Sequence, residues 1–119
     1  MRLGDVRKFA LSLPETTEEP HFEAASFRVR GKIFATIPSG GKQLRIFVEP
    51  AEVEALLAED ASTYEPVIWG KRAVPGAVCV NLRAAAPAQV RELLEEAWRM
   101  RAPKRAIEAF ESGGDRSRR

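Results

Sequence analysis

Residues 25–48 read ASFRVRGKIFATIPSGGKQLRIFV, and this stretch decides the fold. Ala25 to Arg30 alternates. Phe27 and Val29 point one way and Ser26, Arg28 and Arg30 the other, which is the period-two pattern of a half-buried strand. Gly31 breaks the run. Ile33 to Ile37 is a second strand, rich in β-branched residues, and Gln43 to Val48 is a third, with Leu44, Ile46 and Val48 on one face. Pro38-Ser39-Gly40-Gly41 is a turn cluster. Three short strands linked this tightly form an antiparallel meander. A two-residue turn at Arg30-Gly31 sets Val29 opposite Lys32, Arg28 opposite Ile33 and Phe27 opposite Phe34, so both rings go to the core. A three-residue loop would instead turn Phe34 outward beside Arg28. The two-residue turn is the commoner, so Arg28, Arg30, Lys32 and Arg45 are read as plain cations without Phe34 as a stacking ring among them.

Outward from the meander, Leu3, Val6, Phe9, Ala10 and Leu13 recur at helical spacing, and Pro14 ends that helix. Glu15 to Glu23 is acidic and reads as a loop. Glu49-Pro50 opens a second helix, with Val53, Leu56 and Leu57 inward and Glu49, Glu52 and Glu54 near the positive end of its dipole. Tyr64 to Trp69 is a short strand that Pro66 confines to a sheet edge. Pro75-Gly76 signals a turn before a strand from Val78 to Leu82. Pro87 starts the longest helix, where Val90, Leu93, Leu94, Ala97 and Trp98 form one stripe that places Trp98 in the core. After Pro103, Lys104 to Glu111 forms a last helix, and Ser112 to Arg119 reads as a disordered basic tail. The expectation is one α+β domain over residues 1–111, an antiparallel sheet of about five strands with helices packed on it.

The chain has 119 residues, 45% hydrophobic and 30% charged, which suits one globular domain with a real core. The one cysteine, Cys79, cannot form an internal disulfide. With no signal-peptide pattern and no membrane-spanning run, the expected location is the cytoplasm, with no membrane partner. One histidine, His21, and one cysteine at distant positions give no zinc spacing, so neither a metal nor a cofactor is expected. Gly40-Gly41 lacks the sequel of a phosphate loop, and no nucleophile elbow occurs. His21 lies among Glu18, Glu19 and Glu23 without a nucleophile and reads as part of a solvated loop. The expectation is therefore a protein that is not an enzyme.

Net charge is only +2, but the charge is blocked along the chain. Residues 24–48 carry Arg28, Arg30, Lys32, Lys42 and Arg45 and no acid, whereas residues 49–65 carry acids and no base. Such blocks can make one basic and one acidic face, the former suited to a polyanion.

Val6 to Pro14 (VRKFALSLP), the acidic loop Thr16 to Phe22, Ser26 to Thr36 (SFRVRGKIFAT), the Glu49-Pro50 helix start and Glu92 to Lys104 (ELLEEAWRMRAPK) together resemble the MmcQ/YjbR family of small bacterial proteins. The resemblance spans nearly the whole chain except the tail. It implies a CyaY-like, double-wing-like antiparallel sheet with helices, a DNA-binding label and no catalytic set. Family members often carry a Trp in a GW-x-x-V run. Here Val74 to Val80 holds no aromatic, and Trp69 precedes it.

The expected function is thus a non-enzymatic, sequence-nonspecific DNA-binding module contacting phosphates through Arg28, Arg30, Lys32, Arg45, Lys71 and Arg72, aided by Lys104 and Arg105. The alternative is a protein-interaction or homodimerising domain that uses the acidic helix Glu49 to Asp60 and an open sheet edge.

Overall fold

The meander forms where the alternation puts it, inside a larger sheet. A computed structural model describes residues 1–38 and 43–117. In chain order the elements are α1 (Leu3–Ser12), β1 (Thr16–His21), β2 (Ala24–Val29), β3 (Lys32–Ile37), β4 (Gln43–Phe47), α2 (Pro50–Glu59), β5 (Tyr64–Trp69), β6 (Arg72–Asn81), α3 (Pro87–Arg99) and α4 (Lys104–Ser117). This is an α+β fold around a six-stranded antiparallel sheet of order β1-β2-β3-β4-β6-β5. The turn expected at Pro38 to Gly41 runs into residues 39–42, outside the described residues. Among the described residues no helix is long and apolar enough to cross a membrane.

One face of the sheet carries the core. Phe27, Val29, Phe34, Leu44, Ile46, Val78 and Val80 pack against Val6 and Ala10 of α1, Val53 and Leu56 of α2, and the α3 stripe from Val90 to Trp98. The inward residues of α3 are those the helical spacing selected. Trp98 lies at 0% exposure, its Nε1 donates to the Pro14 carbonyl at 3.1 Å, and its ring meets Phe110 with centroids 5.4 Å apart. Among the described residues no helix packs on the opposite face of the sheet. That face holds only a small cluster of Val67, Ala77 and Cys79, with Phe47 and Val74 beside it.

Three local readings change. Thr16 to His21 is a strand and not a loop, and all six of its residues pair with β2. Its glutamates and Pro20 conceal it, because charge and proline are what an edge strand uses to deter further pairing. Pro66 serves the same end on the other edge strand, β5, as its position foretells. The Arg30-Gly31 turn has two residues, both with left-handed φ (54° and 80°), and pairs Val29 with Lys32 and Arg28 with Ile33 as expected. The register then shifts, so that Phe27 faces Ala35 and not Phe34. This bulge turns Phe34 and Ala35 both toward the core, and a strict period-two reading does not reveal such an insertion.

Pro75-Gly76 is no turn. It lies within β6, and the hairpin turn falls at Gly70-Lys71, where Gly70 takes φ +66°. A Cβ on Gly76 would stand 3.3 Å from the Val48 carbonyl, and Val48 N donates to the Gly76 carbonyl at 3.1 Å, so this glycine serves a close backbone approach. Helix α4 runs from Lys104 to Ser117, and Arg118 and Arg119 lie outside the described residues. Phe110 against Trp98, and Glu111 bound to Arg99 at 2.9 Å, anchor the turn from which that helix propagates.

Candidate functional site

Cross-strand partners share a face. The register therefore sets Glu19, Ser26, Thr36, Arg45, Cys79 and Glu65 in one row across the sheet's open face. Arg45 is central in that row because β4 alternates Leu44 and Ile46 inward with Arg45 and Phe47 outward. Among the described residues, Ala35–Ile46 and Thr36–Arg45 are the pairs that join β3 to β4. Past them the strands part, and Arg101, just beyond α3, donates from Nη1 to the carbonyls of Phe47 and Ala97, each at 2.9 Å.

A cleft of about 770 Å³ opens over this parting. Its floor is Ile33, Thr36, Arg45 and Phe47, with Arg101 reaching in from the helix side. His21 and Phe22 line it from the β1–β2 hairpin and Trp69 from the β5–β6 hairpin. Phe22 is 94% exposed, and it stands edge-on to His21 with centroids 4.8 Å apart. Its backbone has φ +57°, a left-handed conformation that a bulky side chain adopts only under constraint. Trp69 is 59% exposed and lies opposite Arg72 in register, so that cation stands at the rim.

Electrostatically the cleft is short of acid. Glu23 is the acidic residue among those lining it. Among the described residues, neither Arg45 nor Arg101 lies within ion-pairing distance of a carboxylate. The Nε of Arg45 is buried with no hydrogen-bond partner among them. Burial lowers the pKa of the Arg101 guanidinium, partly offset by the Glu49 charge. The neighbouring Cys79 thiol is pushed up by burial, against the pull of Arg45.

The sequence-predicted cations divide between two regions. Arg28 lies on the open face, its Nε on Ser26 Oγ at 3.0 Å and its Nη2 3.5 Å from the Pro20 carbonyl, with no carboxylate bound among the described residues. Arg45 and Arg72 share that face. Lys71 is exposed at the adjoining turn. Lys32 pairs with Val29 and so belongs to the helix-side face, exposed at its margin, and Lys104 is exposed at the start of α4. Arg30 and Arg105 converge on Glu15, at 3.6 Å and 3.1 Å. They tie the β2–β3 turn and α4 to the end of α1, which is structural work. Sequence reasoning missed Arg101, Phe22, Phe47 and Trp69 as site residues. The outward place of Phe47 was legible in the β4 alternation, and Phe22 was an aromatic alone among acids.

The arginine pair about Glu15 has a pH consequence. Hydrogen bonding to Arg105, then the charges of Arg105 and Arg30, hold the Glu15 carboxyl below its ordinary value near 4.5. A depressed carboxylate contributes stability that is present above the unfolded-state pKa and lost as pH falls through the folded-state value. Glu15→Gln is therefore expected to lower Tm at neutral pH, and the gap between variant and parent should close as the solution is taken below about pH 4. Thermal melts from pH 7 to pH 3 check this; a gap that widens on acidification contradicts it.

The YjbR family model matches residues 11–100. The chain belongs to the YjbR family. A Deinococcus radiodurans protein with a DUF419 domain superposes with a TM-score of 0.70 at 23% identity, over 82% of this chain and 75% of that one. A Pseudomonas syringae protein superposes with a TM-score of 0.66 at 16% identity, over 84% of this chain and 98% of that one. None of the curated proteins matches the chain. At these identities the solved structures speak for a shared α+β architecture, which leaves the use of the open face in this YjbR protein to be argued from its own residues.

Proposed function

We propose that this YjbR protein is a non-enzymatic binding module that holds DNA, as single strand and without reading its sequence, against the open face of its sheet. The observation that carries the reading is the cleft, in which an exposed Trp69 and a strained, exposed Phe22 stand over Arg45 and Arg101, neither with a carboxylate partner among the described residues. Aromatic rings on a sheet with interspersed cations suit splayed bases and their phosphates, and any base can stack. A groove in a sheet suits an unpaired strand better than a duplex, for which no recognition helix is offered. Arg28, Arg45, Lys71 and Arg72 supply the phosphate contacts on this face; Lys32 and Lys104 lie apart, and Arg30 and Arg105 are engaged with Glu15.

The alternative of a protein partner draws on acids. Burial, then the charges of Glu52, Glu49 and Glu92, push the Glu96 carboxyl up, which marks an acidic surface shared by α2 and α3. Strand addition is disfavoured, because both edge strands carry a proline, Pro20 and Pro66.

Anisotropy titrations of labelled single-stranded and duplex DNA at low salt test the reading. Single strand is expected to bind more tightly, and Arg28→Gln with Arg45→Gln is expected to reduce the slope of log affinity against log salt by about 1.4, or roughly 0.7 per lost contact. Absence of binding to either form up to about 100 μM defeats the proposal. Capture of the same proteins from lysate with and without nuclease would then favour the acidic surface.

A further inference from the structure

We infer that the cleft between the β1–β2 and β5–β6 hairpins is a discrete pocket for one nucleoside phosphate, its base lying against Trp69 and its phosphate held by Arg45 and Arg101. This rests on the nucleic-acid reading for the ligand's chemistry, and narrows it from a face to a single seat. The cleft's volume of about 770 Å³ lies within the roughly 300–1,000 Å³ of ligand clefts. Its lining is mainly apolar, as a planar ring requires, and its polar groups are few and convergent.

Charge complementarity selects the anion. Two guanidinium groups line one cleft, and neither has a carboxylate partner among the described residues. The Arg45 Nε is buried with no hydrogen-bond partner among the described residues, so the charge that Arg45 brings to the cleft lining is held in the sheet without neutralisation. Arg101 is already fixed through the Phe47 and Ala97 carbonyls by one terminal nitrogen, leaving the rest of its fork to present outward. A phosphate matches such forks. Phe22 gives the seat a second ring from the facing hairpin, held in a conformation that costs the fold stability and brings no burial in return.

The ligand has two sources, a free nucleotide or the phosphorylated end of a strand. Both are tested on the full chain by isothermal titration calorimetry, which reads every variant without a reporter in the cleft. Adenosine 5′-monophosphate is expected to bind about tenfold or more tightly than adenosine or inorganic phosphate, because stacking and the charged contacts act together. Arg45→Gln is expected to lower its affinity about tenfold while leaving adenosine nearly unaffected. Trp69→Ala, which removes an exposed ring from a hairpin end and leaves the core intact, weakens both and keeps the test valid if the arginine variant fails to fold. Equal binding of the nucleotide and adenosine, or no nucleotide binding at about 1 mM, overturns the inference.

A short oligothymidylate with and without a 5′-phosphate separates the sources. A phosphorylated strand that binds more tightly than both its twin and the nucleotide identifies a strand end; a nucleotide that binds as tightly as the phosphorylated strand identifies a free ligand. Each supports the pocket. If the nucleotide binds and neither strand does, the nucleic-acid reading fails and the pocket stands. If both strands bind alike and the nucleotide does not, the reading stands and the pocket falls.

Discussion

Trp98→Ala is expected to cost about 3–5 kcal/mol, the usual range for deleting a fully buried tryptophan, and so a large fraction of the stability of a domain whose total is on the order of 5–15 kcal/mol. Three losses combine. The indole is at 0% exposure in the middle of the helical layer, so its removal leaves a cavity lined by the α3 stripe and the sheet. Phe110 loses the ring it meets at 5.4 Å, and with it much of what seats α4. The part-buried Pro14 carbonyl also loses its donor. Trp98→Phe isolates that last part: it keeps an aromatic filling and is expected to lose about 1–3 kcal/mol. Urea unfolding checks both, the midpoint falling while the slope holds. A loss below about 1 kcal/mol for the alanine variant would mean that the helices carry stability independently of this ring.

The second large effect lies at Phe22, where two properties should move in opposite directions. Phe22→Gly is expected to stabilise the fold by about 1 kcal/mol, because glycine takes φ +57° without steric cost and the exposed ring forfeits little burial. The same change is expected to weaken single-stranded DNA binding by about 1–3 kcal/mol, or roughly fivefold to a hundredfold, the usual worth of one stacked base. Phe22→Ala separates the causes: the ring goes, the strain remains, and binding should fall without the gain in stability. Thermal melts alongside DNA titrations read both quantities. A glycine variant that is less stable and binds as well as the parent would make the ring structural, through its edge contact with His21, and would remove it from the site.

Proposals aside, the pattern of legible and illegible features has a physical basis. Helix α3 was readable because its stripe from Val90 to Trp98 is long enough for the period to stand out and because Pro87 marks its start. The β2–β3 turn was readable from Gly31 and the flanking alternation. Strand β1 was not. An edge strand with one partner needs little hydrophobicity, and its glutamates and proline carry the signature of a loop. Pro75-Gly76 misled for a related reason: the pair marks a turn when chain direction must reverse, and here it marks a close approach of the Val48 carbonyl within a strand.

The candidate site divides in the same way. Local pattern was enough to give the fold class, the core-facing residues of each long element, the burial of Phe34 and Trp98, and the outward cations Arg28 and Arg45, since each depends on a period of two or 3.6 residues within one element. It could not give the cleft. That required Phe22, Phe47, Trp69 and Arg101, from four separate parts of the chain, to meet where β3 and β4 part, and only long-range register brings them together. Nor could it separate Arg28 from Arg30, adjacent cations in one basic run. A two-residue turn with left-handed φ swings Arg30 to the helix side, where Glu15 and Arg105 await it, while Arg28 stays on the open face with its charge unpaired among the described residues. Charge is a property of the sequence; which charges remain unneutralised depends on which carboxylates the folded chain carries within about 4 Å of them.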